Sequence, residues 1–254
     1  MNKVYFFLAV FMTLHVSCAG TNYHAPDEGN EITHDEWTAL LRKHVNATGD
    51  VDYKGFIEDS ARLNSYLDLL SSHPVAEDAT DNYAIAYWIN AYNAYTVKLI
   101  IDNYPLESIQ DLHPTLKIPG VNTVWHKEFF KIGDQDMSLD YIEHEILRKE
   151  YEEPRIHFAI NCASNSCPPL LDEAYTPDEL GEQLDAQTRA FINNEAYNKI
   201  GENRVEISKI FSWFKKDFTK NGSVIDYLNQ YARESINAGA EVNYMNYDWA
   251  LNEQ

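Results

Sequence analysis

The chain has 254 residues, 44% hydrophobic and 13% aromatic, enough for a sizeable core in one large domain or two small ones. Its 40 acidic residues against 20 basic ones leave a net charge of −20. That balance argues against nucleic acid as a partner, because phosphates need Lys and Arg, and it disfavours adsorption to anionic lipid headgroups.

Met1 to Gly20 has the layout of an export signal: Lys3 before an apolar run from Val4 to Leu14, then small residues around Cys18. The run is too short to span a bilayer. Leu14-His15-Val16-Ser17-Cys18 resembles a bacterial lipoprotein signal, although His15 stands where an aliphatic residue is usual. The expectation is a signal peptide over 1–18, a flexible tether over 19–31, and an exported protein held to the cell envelope through a lipid at Cys18.

In chain order, Thr33 and Glu36 suggest a capping box for a helix from His34 to Val45, with Trp37, Leu40, Leu41 and His44 on one face. Asn46 to Asp50 reads as a turn without the ligand ladder of a calcium loop. A second helix is expected from Tyr53 to Ser71, ended by Pro74. A third, from Asp81 to Asn103, is apolar around so much of its circumference that it belongs in the centre of the fold. Its Asn90 and Asn93 then need buried partners.

Prolines and glycines over 104–137 indicate loops, with short strands around Trp125 to Ile132. Ser138 caps a predicted helix to Lys149, and 155–161 reads as a buried strand. Thr176, Pro177 and Glu179 look like N-cap, N1 and N3 of another helix. A strand at Arg204–Ile207, an aromatic stretch to Phe218, a helix over Val224–Ile236 and a docked Tyr- and Trp-rich tail complete the chain. The expectation is a single domain over 32–254, α+β and mostly helical with a small β-sheet.

Three features carry candidate chemistry. Glu143 falls inside the apolar sector of its helix, where burial raises a carboxyl pKa, and His144 lies at the sector's border. His157 precedes a polar loop holding Cys162 and Cys167. Those cysteines are open to three readings: a disulfide closing a tight loop, a thiol nucleophile served by a histidine, or zinc ligands, although the spacing matches no common zinc pattern.

Tyr87-Trp88-Ile89-Asn90-Ala91-Tyr92-Asn93, Ser138-Leu139-Asp140-Tyr141-Ile142-Glu143-His144, Pro154-Arg155-Ile156-His157-Phe158-Ala159, Cys162, and Ser166-Cys167-Pro168-Pro169-Leu170 together resemble the DUF547 family, a domain of unknown function in bacteria and eukaryotes. The domain would cover about 78–194. The resemblance implies that Glu143, His144, His157, Cys162, Cys167, Asn90 and Asn93 belong to the family's motifs. Its members in reducing compartments weigh against an obligatory disulfide. No cofactor is implied.

The first functional expectation is a thiol-dependent hydrolase or acyl-transfer enzyme. Cys162 or Cys167 would be nucleophile, His157 or His144 base, Glu143 the orienting group, and Asn90 an oxyanion donor. The second is a non-catalytic envelope module with a Cys162–Cys167 disulfide, binding a small molecule, peptide or protein. The third is a zinc or redox site.

Overall fold

A computed structural model describes residues 31–115 and 122–254. The expected signal peptide, the expected lipidation site Cys18 and the expected tether up to residue 30 lie outside the described residues. Residues 31–254 form one compact unit, mostly helical with two short strand pairs, an α+β fold.

The longest helix organises the rest. α4 (Asp81–Ile101) starts where the Thr80 hydroxyl accepts from the Tyr83 N–H, and nearly every residue along it is buried. A helix that is apolar all round has no solvent face to present, so neighbours must surround it. α1 (Asp35–His44), α2 (Tyr53–Glu58) and α3 (Ser60–Ser72) do so, burying Trp37, Phe56, Tyr66 and Leu70. The buried Tyr87 hydroxyl donates to Leu70 O at 2.7 Å, so its polar end is satisfied.

Several boundaries differ from the sequence reading. α1 begins after His34 with no side-chain cap, so the Thr33–Glu36 capping box does not form; Glu36 instead accepts from Arg62 at 2.6 Å. The second helix breaks at Asp59, whose carboxylate turns back to accept from Lys43 at 2.6 Å and His44 at 2.7 Å. The helix from Val224 stops at Leu228, because Asn229 folds across to bond both the N–H and the carbonyl of Ile236. Thr176 is not an N-cap: α6 runs from Leu180 to Ile192, and the Thr176 N–H donates to Gln183.

The strands are short. β1 (Phe130–Ile132) and β2 (Gln135–Met137) form an antiparallel hairpin, turned by Gly133 at φ 58°. β3 (Arg204–Ile207) pairs in parallel with β4 (Glu241–Tyr244). The expected strand over 155–161 does not exist. Pro154 opens a 3-10 helix, Pro154–Phe158, with the Glu153 carboxylate accepting from the Arg155 N–H at 3.0 Å. Periodicity could not separate a short buried strand from a helical turn, and the proline favoured the turn.

That turn places the site. Ile156 enters the large apolar cluster around α4, and Phe158 enters a second cluster with Phe191, Phe211, Phe218 and Tyr227. His157, between them, faces a cavity where the two clusters meet. Among the described residues no helix is long and apolar enough to cross a membrane.

Candidate functional site

The segment Tyr141–Leu147 is a π-helix, closed by the Arg148 N–H donating to Glu143 O five residues back, and it continues into a short α-helical turn, Arg148–Glu150 (α5). Such wide turns change which residues share a face, and they recur at functional sites. Here the turn buries Glu143, whose side chain is 12% exposed, and leaves His144 half-buried.

The Cys loop is fixed from both sides. Asn161 Nδ2 donates to Pro168 O at 2.8 Å, tying the loop's ends together. Asn161 Oδ1 accepts from the N–H of Ala163, which holds the left-handed backbone at φ 59°. From the other side the tail crosses the loop: Asn165 N–H donates to Ala250 O, and Asp248 N–H donates to Ser166 Oγ. The tail therefore docks where its aromatic residues meet the sulfurs.

Cys162 and Cys167 form a disulfide. Donors gather at the bridge: the Cys162 N–H reaches Cys167 Sγ at 2.9 Å, while the Tyr247 and Ser164 hydroxyls stand against both sulfurs, at 3.2 and 3.4 Å from Cys167 Sγ and 3.3 and 3.4 Å from Cys162 Sγ. A disulfide sulfur is a weak acceptor, whereas a thiolate is a strong one. Cys167 is buried and Cys162 partly open.

The cavity measures about 180 Å³. Glu143, His144, His157, Cys162 and Cys167 all line it, together with an aromatic wall that includes Trp125, Trp213, Tyr247 and Trp249. His157 is buried, its ring stacked on Phe214 at 3.9 Å. Its Nε2 donates to Asp217 Oδ2 at 2.8 Å, so the orienting carboxylate is Asp217 and not Glu143. Arg148 grips the same carboxylate through Nε at 2.7 Å and Nη2 at 3.1 Å, and donates through Nη1 to His144 Nδ1 at 2.6 Å. His144 thus accepts on Nδ1 and is left with Nε2 facing Asp140 at 3.5 Å.

Titration follows from these contacts. Burial pushes Glu143 up to about 7, opposed by the Arg148 charge and reinforced by Asp140 and Asp217. Burial pushes His157 down to about 4, outweighing the hydrogen bond to Asp217. Burial also lowers His144. Asp217 behaves oppositely: burial alone would raise it, but hydrogen bonds from His157 and Arg148 hold its carboxyl well below the usual range. At neutral pH His157 is uncharged, and its second nitrogen is an open acceptor. Among the described residues that Nδ1 has no hydrogen-bond partner; Glu143 Oε1 stands 4.0 Å away, too far to bond it directly.

Residues 76–192 match the model of the DUF547 family, described as a protein of unknown function. The chain carries a DUF547 domain. No curated protein and no solved structure matches it. Every cavity residue expected from the sequence falls within the segment that matches the DUF547 model.

Two further expectations for the site do not hold. Asn90 is not an oxyanion donor: Nδ2 donates to Tyr175 O at 2.8 Å, and Oδ1 accepts from Tyr175 N–H at 3.0 Å. Asn93 likewise spans Ala159 O and Asn161 N–H. Both amides are consumed in pinning loops to α4. Asn90→Ala would strand two buried backbone groups, and we expect a loss of about 2 kcal/mol in urea unfolding with the cavity's chemistry unchanged. Nor is either cysteine a free thiol here, since each sulfur is bonded to the other. Among the described residues no group of three His, Cys, Asp or Glu is arranged to hold a metal ion.

Proposed function

We propose that this DUF547 protein is a thiol–disulfide exchange enzyme whose reactive group is the Cys162–Cys167 bridge, acting outside the cytoplasm on a chain anchored through Cys18. The observation that carries this reading is the polar cradle on the bridge, with the Cys162 N–H donating to Cys167 Sγ at 2.9 Å and the Tyr247 and Ser164 hydroxyls against both sulfurs. The Cys162 N–H would stabilise Cys167 Sγ as the leaving thiolate, and a better-stabilised leaving group departs faster.

The chemistry closes without a cofactor. A substrate thiolate attacks the more open Cys162 Sγ, the S–S bond breaks, and Cys167 leaves as a thiolate. The mixed disulfide on Cys162 is then attacked at the substrate sulfur by a second substrate thiolate. A substrate disulfide forms, and the bridge holds the two electrons as a dithiol. An external disulfide reoxidises the dithiol by the reverse steps. Glu143 lines the same cavity and titrates near 7, so it is suited to take up and return the protons of the thiols.

Hydrolysis or acyl transfer by Cys167 is the second reading. It is favoured by the Asp217–His157 pair, whose open nitrogen resembles an oriented general base, and it requires the bridge to be reduced first. A purely structural bridge in an envelope binding module is the third.

One set of measurements separates them. In the folded oxidised protein, millimolar small thiols at pH 7 are expected to open the bridge about tenfold faster than an unactivated disulfide. Cys167→Ser, incubated with the disulfide of the same small thiol, is expected to trap a mixed disulfide on Cys162 with release of one thiolate, which mass spectrometry detects, and Cys162→Ser is not. A bridge that stays closed would sink the exchange reading and leave the binding module. Turnover of acyl substrates by the reduced form alone would favour the second reading.

A further inference from the structure

The cavity wall is chemically one-sided. Among the described residues it carries the carboxylates of Asp140 and Glu143 and no Lys or Arg. The nearest guanidinium, Arg148, is already committed to Asp217 and His144. Two acceptors on the floor lie close without touching: His157 Nδ1, buried and unpartnered among the described residues, and, 4.0 Å away, Oε1 of Glu143, whose carboxyl also hydrogen-bonds Tyr92. A single N–H-bearing group placed between them can reach both within hydrogen-bond distance. A buried acceptor left unmatched is costly, so a donor that enters this gap is favoured.

The remaining wall suits a cation as well. Tyr247 packs on Trp249 at 4.5 Å and on Trp213 at 4.7 Å, and Trp125 meets Trp249 at 5.6 Å. Aromatic faces attract an ammonium through their quadrupoles, more strongly when it is desolvated. The acidic chain, at −20 overall, draws cations towards such a cleft.

We propose that this cavity binds a primary ammonium group, held between His157 Nδ1 and the Glu143 carboxylate and covered by the tryptophan wall. The thiol substrate of the bridge is then an aminothiol: a short molecule, or a peptide N-terminus, that carries an ammonium close to its sulfur. The ammonium site stands on the cavity alone; the aminothiol assignment rests on the exchange reading.

Two experiments keep the claims apart. In the first, oxidised wild-type protein is titrated at pH 8 with propylammonium, 1-propanol and propionate at constant ionic strength, following tryptophan fluorescence. Propylammonium is expected to bind at least about tenfold more tightly than 1-propanol, and propionate not at all. Glu143→Gln should erase that preference. Trp213→Ala, at a side chain 48% exposed and therefore tolerant of change, should weaken amine binding severalfold with the melting temperature kept. Equal binding of amine and alcohol overturns the ammonium site.

In the second, the rate of bridge opening is compared for cysteamine, 2-mercaptoethanol and 3-mercaptopropionate at equal thiolate concentration. Cysteamine is expected to be fastest by a similar factor, and 3-mercaptopropionate slowest. Equal rates overturn the aminothiol assignment. A bridge inert to all three, in a protein that still binds propylammonium, defeats the exchange reading and leaves the ammonium site standing.

Discussion

Asp217→Ala should lower the stability of the folded protein by about 3 kcal/mol at pH 7, towards the lower end of what breaking a buried ion pair costs. The carboxylate accepts from His157 Nε2, Arg148 Nε and Arg148 Nη2, and its loss leaves a guanidinium and an imidazole facing each other with no anion between them. Side-chain exposures of 21% for Asp217 and 24% for Arg148 let water reach part of the site and keep the loss from being larger. Asp217→Asn should fall between alanine and wild type, because its single carbonyl can serve only part of that donor set. The wild-type contribution is present above the ordinary carboxylate range and is lost only as pH falls through the depressed pKa of Asp217. Urea unfolding at pH 7 measures the loss. A cost below about 1 kcal/mol, the median for surface pairs, would mean that Asp217 is an ordinary surface carboxylate.

Glu143→Gln should show a different signature, in the dependence of stability on pH. Glu143 is raised from 4.5 to about 7 by burial, so its favourable contribution is complete below pH 4.5 and is lost as pH rises through 7, about 3 kcal/mol in all. His157 is lowered from 6.5 to about 4, so its contribution is complete above pH 6.5 and is lost as pH falls through 4, again about 3 kcal/mol. Between about pH 4.5 and 6.5 the two slopes oppose each other, and wild-type stability should change little on their account. Glutamine mimics the protonated acid and removes one slope. The variant should therefore match wild type near pH 5, exceed it by about 3 kcal/mol at pH 8, and lose stability more steeply on acidification below 6.5. Melting curves across that range test this; identical pH profiles would show that Glu143 is well solvated.

How much of this was legible in the sequence depended on the range of the interactions involved. α4 was readable because its apolar residues cover the whole circumference over many turns, a local signal. Glu143 was readable for the same reason, as an acid inside an apolar stripe. The tight turn at His157 was not, since Ile156, Phe158 and Ile160 satisfy a strand pattern as well as a 3-10 turn between two cores. Asp217 was invisible: it lies 60 residues beyond His157 and looks like any acid in an amphipathic segment until Phe214 and Phe218 close on the imidazole. The hydroxyl of Tyr247 is 80 residues from the sulfur it contacts, and no local pattern forecasts that meeting. Asn90 and Asn93 drew attention as buried amides, and the partners they found were backbone groups.

The cavity also redraws the boundaries of the working unit. Family similarity ends at residue 192, yet Asp217, Trp213, Phe214, Tyr247 and Trp249 all come from the chain beyond it. A protein trimmed to the matched segment would retain both cysteines, His157 and Glu143. It would lose the anion that orients the imidazole, the hydroxyl at the sulfurs and most of the aromatic cover. The cysteines and the two acceptors of the cavity come from the matched segment, and the groups that orient and cover them come from the stretch after it. Changes after residue 192 can reshape the cover of the cavity while the cysteines stay where they are.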